Sequence, residues 1–112
     1  MSKSFNQLPP GRHSVTCTDS QLTPVGQTYR WFLRFKNEDQ STVCLFHLDL
    51  PSVKPVLEIV AEKLGLEYDG DVVDALISGA LDVCKAIGWT GEVQVQEHNG
   101  RFRTFVLDGG DV

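Results

Sequence analysis

The chain is poor in the features that staple, span or catalyse. It holds three cysteines in 112 residues, Cys17, Cys44 and Cys84. An odd count, wide spacing and no CxxC pair encode neither a disulfide framework nor a zinc ribbon. Reduced thiols used as small apolar residues are expected. No apolar run approaches the roughly 18 residues of a membrane span, which excludes a membrane-crossing helix. The stretch Met1–Gly11 has no apolar segment of the secretory kind, so a cytoplasmic location is expected. There is no GxSxG, no HExxH and no glycine-rich phosphate loop. His13, His47 and His98 have no spacing that assembles a metal site, so no catalytic residue, metal or cofactor is expected. Positive charge is also short. Ten Lys and Arg stand against fifteen Asp and Glu, a net charge of −5, which argues against an indiscriminate polyanion binder.

What is present is ordinary for one globular domain: 41% hydrophobic and 22% charged residues. The charge is unevenly spread. Residues 1–48 carry a net +2, residues 49–88 a net −5 and residues 89–112 a net −2. A basic face with an acidic back is therefore compatible with the negative total. Residues 1–10, ending in Pro9-Pro10, read as a flexible arm, residues 11–108 as a single domain and residues 109–112 as a flexible tail.

Within the domain the pattern is extended, then helical, then extended. Gly11–Asp19 alternates weakly as a strand, and Pro24–Gln27 reads as a turn. In the next strand Tyr29, Trp31, Leu33 and Phe35 take one face and Arg30, Phe32, Arg34 and Lys36 the other, because side chains alternate with a period of two. Asn37–Gln40 is a polar turn. Thr42–Leu50 is a strand with two apolar faces, expected to be covered on both. Ser52 is placed to cap a helix with the stripe Val56, Leu57, Val60, Ala61 and Leu64, stopped by Gly65. Asp71 is placed to cap a second helix striped by Leu76, Ile77, Ala80 and Cys84, running to Gly88. Glu92–Glu97 and Arg101–Leu107 flank Asn99-Gly100, a strong hairpin signal. Trp31 is expected in the core, and Trp89 as a plug at one end of the fold.

The order β-β-β-α-α-β-β, mainly β with helices, predicts an α+β protein built on a five-stranded, partly open Greek-key barrel of the OB-fold plan. A five-stranded sheet with another strand order competes with it.

Three stretches carry a family resemblance: Leu8–Thr16 with its Pro-Pro-Gly, the strands Tyr29–Phe35 and Val43–Leu48, and Thr90–Val106 with its Gly-x-Val-x-Val strand turning at Asn-Gly. The chain resembles small phage-encoded OB-fold proteins of the single-stranded-DNA-binding type over roughly residues 8–107. It departs from them in lacking a long acidic C-terminal tail. The resemblance implies handling of single-stranded nucleic acid.

The residues themselves offer a matching surface. Arg30, Phe32, Arg34 and Lys36 place an aromatic among cations on one strand face, which suits stacking of a base while binding its phosphates. Arg101 and Arg103 repeat the theme on the last strand, sharing a face with Phe105, while Phe102 points the other way; one of these two phenylalanines is expected in the core. The plainer reading is a solvated face whose arginine stems cover apolar surface. A second function class also stands. The acidic stretch Glu58, Glu62, Glu67, Asp69, Asp71, Asp74 and Asp82 would let the protein dock on a basic host or phage protein, or mimic DNA. An open barrel leaves strand edges free, which is compatible with a homodimer under either view.

Overall fold

The computed structural model describes residues 6–109. The sheet has six strands: β1 (Asn6–Gln7), β2 (Gly11–Val25), β3 (Thr28–Asn37), β4 (Gln40–His47), β5 (Thr90–His98) and β6 (Arg101–Gly109). Helices α1 (Val53–Lys63) and α2 (Val72–Ser78) and a 3₁₀ turn (Val83–Ala86) fill the link between β4 and β5. The protein is mainly β with two helices, an α+β fold. Among the described residues no helix is long and apolar enough to cross a membrane.

Strand order is β1-β4-β3-β2-β5-β6. The sheet is open and six-stranded, which corrects the predicted five-stranded barrel. The reason lies at the edge of β4. Asn6 and Gln7 pair in parallel with Gln40 and Ser41, and the Leu8 amide donates to Ser41 O. That segment occupies part of the edge that the last strand would need for closure. β6 meets β4 through side chains instead: the Thr42 and Thr104 hydroxyls lie 2.6 Å apart, and the Cys44 thiol donates to Thr104 O. Gln7 Nε2 donates to the same Thr42 hydroxyl. Leu8, which the sequence places in a loose arm, is fully buried. Residues 1–5 and 110–112, the outer parts of the predicted arm and tail, lie outside the described residues.

β2 is longer than Gly11–Asp19 because it serves two neighbours. Its first half pairs with β5 and its second half with β3, through a bulge between Cys17 and Asp19. A bulge inserts one residue and bends the strand. The inward set accordingly changes parity, from Val15 and Cys17 to Ser20 and Leu22. Pro24 and Val25 belong to the strand, and the turn is confined to Gly26-Gln27. At Asn99-Gly100 both residues take positive φ, as a type I′ hairpin turn requires.

β3 supplies the centre of the core. Trp31, Leu33 and Phe35 are fully buried, and the Trp31 indole donates to the buried Ser20 hydroxyl at 3.0 Å. Val93 and Val95 close the sheet side, and Leu57, Val60 and Ala61 of α1 pack from the helix side. Trp89 fills one end: it meets Phe35 edge-on at 5.7 Å, and its indole donates to Lys63 O.

The helices differ in detail from expectation. Ser52 occupies the N-cap of α1, but its side chain makes no capping bond. Val53 is buried where Val56 was expected. Gly65 ends α1 as predicted, with Gly65 and Leu66 amides returning to Glu62 O and Ala61 O. Asp71 caps α2, accepting from Val73 and Asp74 amides. Its carboxylate also meets Lys54 at 2.6 Å, which holds Asp71 below and Lys54 above their ordinary pKa ranges. α2 stops early because Gly79 takes φ 86, a left-handed cap. Of the predicted stripe only Leu76 is buried: Ile77, Ala80 and Cys84 are exposed, and Val72, Ala75, Leu76 and Leu81 face the core.

The three thiols are free. Burial pushes Cys17 up to about 11 and Cys44 up to about 12. The folded chain therefore keeps protons that the unfolded chain releases from about pH 9 upward. Stability from these thiols is fully present below the unfolded pKa and is lost as pH rises from about 9 to about 11 for Cys17 and to about 12 for Cys44. Thermal unfolding across that range is expected to show a falling midpoint. At pH 8 an aromatic disulfide reagent is expected to titrate only Cys84 in the folded protein and all three thiols in denaturant. Rapid reaction of two or more thiols in the folded state would contradict the placement of Cys17 and Cys44.

Candidate nucleic-acid interface

The outward face of β3 is a direct consequence of what its inward face buries. With Trp31, Leu33 and Phe35 pointing into the core, Arg30, Phe32, Arg34 and Lys36 point out. The Arg34 guanidinium lies 5.3 Å from the Phe32 ring centroid, a cation–π contact between same-face neighbours. Arg34 also faces the Asp19 carboxylate at 3.4 Å across the β2–β3 pair. Arg30 sits opposite Thr23 and His47, and Lys36 opposite Thr16 and Ser41. Arg30 Nε is covered and finds no hydrogen-bond partner among the described residues.

β4 extends this face with apolar side chains. Leu45 stands opposite Phe32 and Val43 opposite Arg34. Leu45 is 47% exposed. The expectation that β4 is covered on both faces does not hold at Leu45: among the described residues both helices pack from the inner side, and Leu45 stands exposed on the outer one. The register that brings Leu45 to Phe32 follows from the two-residue turn between Asn37 and Gln40.

Arg101 and Arg103 are exposed on β6, opposite His98 and Gln96. Neither nearby phenylalanine is in the core. Phe105 is 43% and Phe102 41% exposed, and the inward positions of β6 are held by Thr104 and Val106. Phe102 shares its strand parity with Thr104 and Val106 yet stays exposed. A groove of about 760 Å³ runs between β4 and β6, and Val43, Leu45, Arg103 and Phe105 are on its walls. It brings Arg103 to the apolar edge of the β3 face. Arg101 lies further along the hairpin and does not line it.

The acidic residues collect on the helix side. Glu58, Glu62, Glu67 and Asp69 surround a cleft of about 770 Å³ with Tyr68 and Leu66. Asp71 and Asp82 are spent on capping backbone amides. Among the described residues no group of three or more His, Cys, Asp or Glu side chains is placed to hold a metal ion. His13 bonds Pro9 O, and His47 stands exposed on the outer face.

No protein-family model matches this chain, and no curated protein matches it.

Proposed function

We propose that the protein is a non-catalytic single-stranded-DNA-binding module that holds its ligand on the outer face of β3 and β4. One observation carries the reading: Phe32 lies open to one side of a strand with Arg34 over its ring, in line with Arg30 and Lys36. A half-buried ring on the outer face with cations beside it offers a base-stacking platform with phosphate contacts next to it, and such a platform tolerates any base. Leu45, Arg103 and Phe105 extend the platform toward β6, and Arg101 adds charge on the hairpin.

The strand neighbours support an OB-type architecture. β2 pairs with both β3 and β5, β3 with β4 and β5 with β6, and the helices link β4 to β5. These are the neighbours of a five-stranded Greek-key barrel with one seam, between β4 and β6, left unzipped. Together with the resemblance of residues 8–107 to phage single-stranded-DNA-binding proteins, they support a phage or mobile-element protein acting in the host cytoplasm. Residues 49–88, which include both helices, carry a net −5, so the remainder of the chain, with the strand face and its Asp19–Arg34 pair, is neutral in sum.

Salt dependence tests the site. For single strands the logarithm of affinity falls with the logarithm of salt by about 0.7 per phosphate neutralised. Arg30→Ala/Arg34→Ala is expected to flatten that slope by about 1.4 and weaken binding. An unchanged slope and affinity in a folded double variant would remove these arginines from the site. The acidic cleft supports the second reading, docking on a basic protein. Under it the chain would ignore oligonucleotides, and charge reversal at Glu58 and Glu62 would abolish capture of that partner.

A further inference from the structure

Strand register gives each side chain of the β3 outer row its own pair of neighbours. Arg30 stands between Thr23 and His47, Arg34 between Asp19 and Val43, and Lys36 between Thr16 and Ser41. Phe32 stands between Gln21 of β2 and Leu45 of β4. Gln21 and Leu45 are exposed and the ring is half-buried, so all three present atoms to the same open face. Directly opposed residues hold their Cβ atoms about 5 Å apart. A base laid on the Phe32 ring therefore has an amide along one edge and an aliphatic side chain along the opposite one. In this row of four, only Phe32 is an aromatic, and it alone is set between an amide and an aliphatic group.

We propose, resting on the DNA-binding reading of this face, that Leu45 and Gln21 select thymine at the Phe32 platform. Stacking alone accepts any base, so selection falls to the side chains at the edges of the ring. In thymine the 5-methyl group and the O2/N3–H edge lie on opposite sides of the ring. One orientation sets the methyl against Leu45 and turns O2 and N3–H toward Gln21. An amide offers donor and acceptor together, so the Gln21 NH2 group donates to O2 and its carbonyl accepts from N3–H. Apolar contact with the thymine methyl is a recurring way of reading that base. Uracil keeps the polar edge and lacks the methyl, so the same contact separates DNA from RNA without touching the sugar. Cytosine lacks the methyl and presents acceptors at both O2 and N3, which leaves the Gln21 carbonyl without a donor. A purine has no methyl to set against Leu45. Arg30 and Arg34, on either side of Phe32 along β3, are placed to hold phosphates whichever base is stacked.

Anisotropy titrations of the full chain with labelled deoxythymidine, deoxyuridine and deoxycytidine oligonucleotides of equal length test it, with Leu45→Ala and Gln21→Ala as variants. The first two strands differ only in the methyl. Removing one methyl from water is worth about fourfold in affinity, so the wild-type chain is expected to bind the thymine strand about fourfold more tightly than the uracil strand. The cytosine strand is expected to bind more weakly than either. Leu45→Ala is expected to bring thymine down to uracil and to leave the uracil–cytosine difference in place. Gln21→Ala is expected to do the reverse. Both are exposed positions, and far-UV circular dichroism verifies the fold of each variant. Equal wild-type affinity for the thymine and uracil strands, with both weakened by Phe32→Ala, overturns the assignment of thymine and leaves the DNA reading standing. A thymine preference that survives Leu45→Ala also overturns it, because the methyl is then read elsewhere. Failure of the chain to bind any of the strands removes the DNA reading and this inference together.

Discussion

Trp31→Ala is expected to cost about 3–5 kcal/mol of unfolding free energy, a large part of the total stability of a domain this size. Three losses add up. The indole is fully buried at the centre of β3, so its removal opens a cavity that the sheet on one side and the helices on the other cannot collapse into. Its ring stands 5.9 Å from Phe46, and that contact goes with it. Its N–H satisfies the Ser20 hydroxyl, which is itself buried and would be left without its donor. Urea unfolding should show the midpoint fall with little change in slope. A loss under about 1 kcal/mol would mean that Trp31 is not the keystone the packing makes it.

The neighbouring substitution should behave in the opposite way. Phe32→Ala is expected to change stability by no more than about 1 kcal/mol, because the ring lies on the open face. Its effect should fall on binding. Stacking of one base on an aromatic is worth about 1–3 kcal/mol, so the affinity for a thymidine oligonucleotide should drop about 5- to 150-fold. Phe32→Trp should retain affinity, since stacking needs a flat ring and not a particular one. Arg34 gains part of its orientation from the Phe32 ring and part from Asp19. The alanine variant therefore removes a platform and loosens a cation together. Unchanged affinity in a folded Phe32→Ala protein would exclude the β3 face. The contrast between adjacent residues is the sharpest consequence of strand alternation: one side chain holds the fold, and the next is offered to a ligand.

The parts of the fold that were legible are those set by local rules. The alternation of Tyr29–Lys36 placed its two faces correctly, and Asn99-Gly100 marked a hairpin whose φ angles are those it needs. Asp71 declared a cap that the backbone uses. What could not be read depends on distant neighbours. The bulge at Cys17/Asp19 shifts the parity of β2, so a period-two pattern breaks in mid-strand and looks like an end. Leu8 is an apolar side chain in a mostly polar stretch, and its place beside β4 makes it core. The same contact leaves the sheet open. Gly79 lies inside the stretch read as one helix running to Gly88 and is its terminator.

The candidate site was legible on the same terms. Arg30, Phe32, Arg34 and Lys36 share the face the alternation gives them. Arg103 joins them only through the β4–β6 groove, a tertiary feature with no local signature. Leu45 and Phe105 were hidden because an apolar residue in a strand reads as core until the layer above it is known to be missing.

The most direct measurement is fluorescence anisotropy of a labelled thymidine oligonucleotide, titrated with the wild-type chain at low and at physiological salt. Saturable binding that weakens as salt rises is the predicted result. No binding at high protein concentration even at low salt would contradict the account, leaving the strand face a solvated surface and the acidic cleft the place to seek a partner.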